Sequence, residues 1–350
     1  MKNVSLKNKI SVGILGATGM VGQKFIELLV DHPWFKVTTL AASERSVGQI
    51  YKKAVNWHGI TPIPATVANL KIKPCKPNFD CQIVFSSLDS SVAGEIEETF
   101  ARSGYTVVSN SKNHRMDKDV PLLVPEINHQ HLDLVKKQPH QGKIITNPNC
   151  STIGLVVALK PLIDNFGIKE VSVVTLQALS GAGYPGLASL DMLDNVIPFI
   201  SGEEDKLEDE PLKIFGTYSK GALKYYEFKI SAQCNRVAVS HGHLECVSVN
   251  LKKKASMKEI KAVWQNFSSE PQRLDLPMAP KQPIYYFEED FWPQPKFQRD
   301  LDKGMAVSIG RLQPSSVFDY KFVILSHNLI RGAAGGAILN AELMVKKGYI

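Results

Sequence analysis

The stretch Ile145-Thr146-Asn147-Pro148-Asn149-Cys150-Ser151-Thr152-Ile153-Gly154 holds the residues best placed to do chemistry. Pro148 locks a turn and an apolar helical run follows (Ile153, Leu155, Val156, Val157, Leu159), so Cys150 arrives in the first turn of a helix. Unpaired amides and the positive end of the helix dipole favour a thiolate there, and the thiolate is the nucleophile. Ser151 and Thr152 are the capping candidates. The amide of Asn149, next to the sulfur, suits an oxyanion-stabilising site. A second cluster lies downstream, in Arg236-Val237-Ala238-Val239-Ser240-His241-Gly242-His243. Histidine titrates near working pH and arginine grips a carboxylate bidentately, so this segment offers a proton donor and acceptor together with an anchor for substrate charge.

These groups need a scaffold, and the chain spells one out. Lys9 to Leu15 is an apolar run ending in Gly16-Ala17-Thr18-Gly19-Met20-Val21-Gly22, before the helical pattern Phe25, Ile26, Leu28, Leu29, Val30. Strand, glycine turn and helix in that order cradle a dinucleotide pyrophosphate, although Gly16-x-x-Gly19-x-x-Gly22 is a variant of the usual spacing. The next strand, Val37 to Ala42, ends in Ser43-Glu44-Arg45-Ser46, whose hydroxyls and guanidinium suit a 2′-phosphate and hence NADP over NAD. Strands at Cys81 to Ser86 and Tyr105 to Ser109, with a helix at Val92 to Arg102 between them, predict a doubly wound parallel sheet. Ser86, Ser87 and Asn110 then stand at the ligand-binding carboxyl edge.

After Cys150 the strands lengthen and alternate: Glu170 to Leu179, Arg236 to Leu251, Met305 to Leu312 and Tyr320 to Ser326. That alternation predicts a second α+β domain on a mostly antiparallel sheet. The aromatic, proline-rich connection Met278 to Pro295 reads as a subunit contact. Gly332 to Gly336 opens a closing helix, Ala337 to Lys347, expected to pack near the cofactor domain and its ligand. The domains are therefore 1–149, completed by 330–350, and 150–329.

Composition narrows the rest. With 44% hydrophobic and 21% charged residues, the chain is an ordinary globular protein long enough for two cores. Five cysteines without metal-type spacing argue against a disulfide framework or a zinc site and for a reducing compartment. Met1 to Lys7 carries no signal-type apolar stretch and no later run matches a membrane span, which predicts a cytoplasmic protein with no membrane partner. The net charge of +7 comes from scattered lysines apart from Lys252 to Lys254, so nucleic acid is not the expected partner and a basic cleft for anionic ligands is.

Taken in order, Gly16-Ala17-Thr18-Gly19, Ala42-Ser43-Glu44-Arg45-Ser46, Asn147-Pro148-Asn149-Cys150-Ser151-Thr152, Ser180-Gly181-Ala182-Gly183 and Arg236-x-Val-x-Val-x-x-Gly-His243 resemble aspartate-β-semialdehyde dehydrogenase, most closely its archaeal and fungal branch. The resemblance runs from about Ile10 to the carboxyl terminus. It implies NADP-dependent reductive dephosphorylation of L-aspartyl-4-phosphate to the semialdehyde through a cysteine thioester, in a homodimer or homotetramer. Cys150 matches the nucleophile, His243 the acid/base and Gln177 the residue orienting the substrate. Arg236 matches the α-carboxylate clamp, Arg115 the phosphate arginine and Asn149 the group positioning the acyl or phosphate. Glu210 and Lys213 match the pair meeting the substrate's amino group and phosphate, with Glu203 and Lys206 offering similar chemistry a turn or two earlier. The cofactor set it implies is Gly16, Thr18, Gly19, Met20, Val21, Ser43, Arg45, Ser46, Ser86, Ser87, Ser180, Gly181, Gly183 and Asn328, with no metal. His241 departs from the acidic residue expected before Gly242, which bears on the charge His243 carries.

Two alternatives share parts of this pattern. A malonyl- or succinyl-coenzyme A reductase has the same fold but no need of a phosphate pocket. A non-enzymatic NADP-binding regulator needs neither Cys150 nor His243. One geometric expectation also follows: Arg236 and His243 are seven positions apart, so on an unbroken strand they face opposite ways. Sharing a substrate requires a bulge, cheapest near Ser240 to Gly242.

Overall fold

The computed structural model describes residues 9–219 and 221–350, so Met1 to Lys7 lies outside the described residues. The chain forms two compact units. One comprises Met1–Leu123, His131–Asn147 and Ala337–Ile350, and the other Val124–Gln130 and Pro148–Gly336.

The first unit is built on six parallel strands: β1 (Ile10–Leu15), β2 (Phe35–Ala42), β3 (Lys73–Pro74), β4 (Ile83–Ser86), β5 (Thr106–Ser109) and β6 (Lys143–Thr146). Their order, β3-β2-β1-β4-β5-β6, is that of a doubly wound dinucleotide-binding sheet, with the direction of winding reversing between β1 and β4. All four residues of β4 and of β5 are buried, which is why they read as unbroken apolar runs. Helix Ser90–Arg102 is capped by Asp89, whose carboxylate accepts from Ser91 N at 2.9 Å.

In the second unit, helix Cys150–Phe166 leads into β7 (Ile168–Gln177); a small hairpin, β8 (Thr217–Ser219) with β9 (Ala222–Lys224), stands apart from the main sheet. The main sheet adds β10 (Lys229–Arg236), β11 (His243–Leu251), β12 (Ile284–Phe287), β13 (Val307–Pro314) and β14 (Tyr320–Ser326) in the order β10-β7-β11-β14-β13-β12. Its inner pairings are antiparallel, with a parallel strand at each edge. Helix Cys150–Phe166 is buried on every side along most of its length, a core position that its uniformly apolar sequence demands.

One expectation changes here. Arg236 to Leu251 is not one strand: β10 runs parallel and β11 antiparallel to β7, so the chain leaves one flank of β7 and returns on the other. Residues 237–242 cross the end of β7, tied there by Val237 N to Gln177 O (3.0 Å) and Leu179 N to Val239 O (2.8 Å). No bulge is needed, and Gly242, at φ +95°, closes the loop. The connection Met278 to Pro295 in turn contains a strand, β12, and Tyr286 within it stacks on Trp264 at 5.9 Å. Exposed apolar side chains lie both in that connection, with Phe291 82% exposed, and in the run from Tyr184 to Phe199, with Leu190 85% exposed.

β10 is an edge strand with a guarded edge. Its Cys234 and Ala232 amides donate to Glu204 and Glu208 (3.0 and 2.9 Å), and its Arg236 amide to Ile197 O (2.8 Å).

Candidate catalytic site

Cys150 is the first residue of its helix and half-buried. The cap is Asn149, whose Oδ1 accepts from Ser151 N (2.9 Å) and Thr152 N (3.3 Å). Ser151 and Thr152 are therefore not caps, because a residue inside the first turn supplies the amide that is capped. Asn149 is itself held twice: its backbone N–H donates to Glu210 Oε2 at 2.7 Å and its Nδ2 to Glu203 Oε2 at 2.8 Å.

Both carboxylates come from helix Glu203–Ile214, where a spacing of seven puts them on one face. Glu203 Oε2 also accepts from Gln177 Nε2 (3.3 Å), and its Oε1 from Lys206 Nζ (2.6 Å). Burial alone raises the Glu203 carboxyl, but Lys206 and the hydrogen bonds from Lys206, Asn149 and Gln177 outweigh it and hold it below the usual carboxylate value. The two acid–base pairs differ in reach. Lys213 is fully buried, whereas the Lys206 side chain keeps 23% of its surface.

The end of β7 gathers the other side chains. Gln177 is its last residue and pairs with Arg236, the last of β10; His243 opens β11 on the other flank. Ala178, one residue past β7, reaches both flanks. Its N–H donates to His243 Nδ1 at 3.0 Å, and its carbonyl accepts from Arg236 Nη1 at 2.7 Å. His243 Nε2 then lies 3.2 Å from Cys150 Sγ. His243 is completely buried, and that burial, with Arg236 beside it, depresses its pKa to about 3. That shift favours the neutral ring, where the sequence suggests a group titrating near working pH. Burial likewise lowers the Arg236 guanidinium, which nonetheless stays charged. His241 faces elsewhere: Nδ1 lies 2.9 Å from Ser180 Oγ and the ring stacks on His327 at 5.6 Å.

Two glycines admit this arrangement. A Cβ on Gly181 would stand 2.7 Å from Arg236 Nη1 and 3.2 Å from the His243 ring, and one on Gly332 would stand 2.8 Å from Cys150 Cβ. Gly332 sits in a π-helical turn, Ile330–Ala334, held by a buried bidentate pair from Arg331 to Glu126 (2.6 and 2.8 Å). Neither the turn nor its ion pair follows from the sequence pattern. Asn328 bridges two loops, accepting from Gly242 N and donating to Ser180 Oγ, both at 2.9 Å. Gly183, at φ +75°, has open space where a side chain would project.

The remaining expected residues lie in the first unit. Gly16 has φ +78°, and a Cβ on Gly22 would stand 2.2 Å from Gly16 O, so the turn closes tightly on helix Met20–Leu29. Gly19 caps that helix without any side-chain hydrogen bond, while Thr18, Met20 and Val21 remain partly accessible. Uncapped first-turn amides beside a cleared backbone fit a pyrophosphate. Ser43 and Arg45 are exposed and Ser46 half-buried, on a turn closed by Ser46 N to Ser43 O (2.9 Å). Ser86 is wholly buried, and Ser87 braces the glycine turn from the neighbouring strand end, its Oγ donating to Leu15 O at 2.9 Å. Arg115 is buried in the loop after β5, where Nη2 donates to Asn110 O at 2.8 Å.

Comparison with known proteins gives one consistent result. Residues 11–135 match the semialdehyde dehydrogenase NAD binding domain and residues 159–331 the semialdehyde dehydrogenase dimerisation domain. The chain is 48% identical to aspartate-semialdehyde dehydrogenase of Archaeoglobus fulgidus over 347 residues, covering 98% of this chain and 100% of that one. Against the Saccharomyces cerevisiae enzyme it is 44% identical, covering 99% and 100%. Among solved structures, aspartate semialdehyde dehydrogenase with NADP from Candida albicans superposes with a TM-score of 0.90 at 43% identity, over 98% of this chain and all of that one. The Vibrio cholerae enzyme II complexed with ASA gives 0.77 at 27% identity, with the same coverage.

Proposed function

The chain belongs to the aspartate-semialdehyde dehydrogenase family, and from that premise we propose that it reduces L-aspartyl-4-phosphate to L-aspartate 4-semialdehyde with NADPH, releasing phosphate. The observation that carries the reading is the Cys150 sulfur at a helix start, 3.2 Å from His243 Nε2, with Arg236 in the same buried cluster. The sulfur attacks the acyl carbon and displaces phosphate to form a thioester. Bound NADPH supplies the hydride that reduces it. Arg236 clamps the α-carboxylate, Gln177 orients the acyl group and Arg115 receives phosphate. For the substrate's amino group and phosphate we assign Glu203 and Lys206 in place of Glu210 and Lys213. The support is the exposure of the two lysines: Lys206 keeps accessible surface while Lys213 has none. The first-unit turn around Gly16, with Ser43, Arg45 and Ser46, takes the dinucleotide; for Ser180, Gly181, Gly183 and Asn328 the assignment to the cofactor rests on the motif alone.

The dimerisation-domain match and the exposed apolar run Tyr184 to Phe199 support self-association. Among the described residues no helix is long and apolar enough to cross a membrane, and a biosynthetic role supports a cytoplasmic placement. The reading is tested by following NADP reduction with aspartate semialdehyde and phosphate, beside the same assay with coenzyme A in place of phosphate. Phosphate-dependent turnover, lost by at least about 1,000-fold in Cys150→Ser with NADP affinity kept, is expected. Turnover that depends on coenzyme A instead would transfer the chain to the acyl-thioester reductases.

A further inference from the structure

We propose that Glu126 and Arg331 are positioning residues for the nucleophile: their buried ion pair holds the turn Ile330–Ala334 in its π-helical form, which sets Gly332, and no residue with a side chain, against Cys150. That Cys150 is the nucleophile rests on the reading above; that the pair places its sulfur does not. Both residues belong to the second unit. The guanidinium of Arg331 spends Nη1 and Nη2 on the two oxygens of Glu126, at 2.6 and 2.8 Å, and among the described residues its Nε has no hydrogen-bond partner. The two side chains keep 1% and 0% of their surface, so Glu126 is the group that answers this charge.

A π turn is rare and persists where its surroundings impose it. Here Gly332 N donates to His327 O and Ala334 N to Leu329 O, both at 3.0 Å and both spanning five residues. His327 closes the entry to the turn, its Nδ1 accepting from Leu329 N (3.2 Å) and Ile330 N (3.3 Å). From outside, the turn is anchored through Arg331 to Glu126, which stands on the short helix Pro125–Asn128, fixed by Val124 N to Asn128 Oδ1 at 2.8 Å. The next residue is Gly332, where a Cβ would stand 2.8 Å from Cys150 Cβ and 2.9 Å from its Cα and carbonyl oxygen. Relaxing to α-helical bonds removes the extra residue from the turn and rotates a neighbour, Arg331 or Ala333, toward that contact. Either carries a Cβ, so Cys150 has to yield.

A buried ion pair adds little net stability, because desolvation offsets most of its attraction; what it does is favour one arrangement over others. The arrangement favoured here is a distance. Cys150 Sγ lies 3.2 Å from His243 Nε2, and Cys150 is the first residue of its helix, so whatever packs on its backbone sets where the sulfur stands. A displacement of the size that one methyl demands lengthens that contact and carries the sulfur away from the carbon it attacks.

The test is the rate at which iodoacetamide alkylates Cys150 in the full-length enzyme, read on its own peptide by mass spectrometry because Cys75, Cys81, Cys234 and Cys246 are also free thiols. Gly332→Ala, Glu126→Gln and the double variant Glu126→Gln/Arg331→Met are compared, with thermal melting showing that each sample is folded. Each is expected to slow alkylation of Cys150 about 10-fold and to lower kcat at least as much with KM nearly kept. The double variant decides, because it removes both charges at similar volume and stays folded where Glu126→Gln alone strands a buried guanidinium. Wild-type alkylation in the double variant, with Gly332→Ala slowed, overturns the proposal and leaves the pair a matter of stability. Wild-type alkylation in Gly332→Ala also overturns it, since nothing then passes from the turn to the sulfur. Alkylation needs no substrate, so slowed alkylation in an enzyme without phosphate-dependent turnover would sink the reaction proposed above and keep the positioning.

Discussion

In the parallel sheet, the residues expected to meet a ligand are mostly absences of side chain: Gly16 and Gly22 clear a backbone surface, and Gly19 leaves helix amides uncapped. In the mixed sheet the corresponding positions are filled. Gln177, Arg236 and His243 are each at most 5% exposed, and each commits a polar side-chain atom to a named partner. The first arrangement suits a large cofactor that brings its own reactive atom, so the protein needs only to make room and offer amides. The second suits a small substrate whose reacting atoms must be met within fractions of an ångström. Both use glycine, to opposite ends: Gly22 lets backbone approach backbone, while Gly181 lets two charged or polar side chains approach each other.

That contrast can be broken at the glycines, where the largest effect is expected. Gly22→Ala drives a methyl to 2.2 Å from a carbonyl oxygen of the main chain, which cannot step aside, so thermal unfolding should show a loss of about 3 kcal/mol or more. Gly181→Ala meets the ends of side chains at 2.7 Å; these can move, but only out of position. We expect kcat to fall about 100-fold with little change in melting temperature. Comparable melting losses in both variants would erase the distinction.

The lysines sharpen it next. Lys206→Ala should raise the KM for phosphate about 10-fold and cost less stability than Lys213→Ala, because its side chain keeps 23% of its surface. Lys213→Ala should lower stability by about 2–3 kcal/mol with the KM nearly kept, because its side chain is wholly buried. A reversal of the two phenotypes would return the substrate pair to Glu210 and Lys213. The smallest effect falls on the exposed turn of the first unit. Arg45→Ala should weaken NADP binding about 10-fold more than NAD binding, by titration of each cofactor, whereas equal losses would show that the guanidinium does not read the 2′-phosphate.

The parallel sheet was readable from sequence because its strands are buried on both faces and its turn must be glycine, so composition and geometry coincide. Cys150 was readable for a similar reason, since Pro148 and the apolar run mark the helix start. The mixed-sheet site was readable only as a cast of residues. Arg236 to Leu251 keeps its alternation across the loop 237–242, so nothing in the period shows that the chain changes flank of β7. Ala178 acts through its backbone N–H and its carbonyl, groups common to nearly all residues, and so leaves no mark in the sequence. Glu203 was visible as a second choice to Glu210; only the fold shows that both meet Asn149, one at the side chain and one at the amide.

The carboxylates of Glu204 and Glu208 on the β10 edge bear on how copies of this chain can meet. A sheet with bare edge amides can grow by taking a strand from another molecule, the route to swapped and fibrous forms. Here three successive outward amides of β10 are already taken, two of them by charged groups that any incoming strand would have to displace and leave desolvated. Taking a strand from another copy along that edge would cost those bonds, so the β10 edge is guarded against sheet extension.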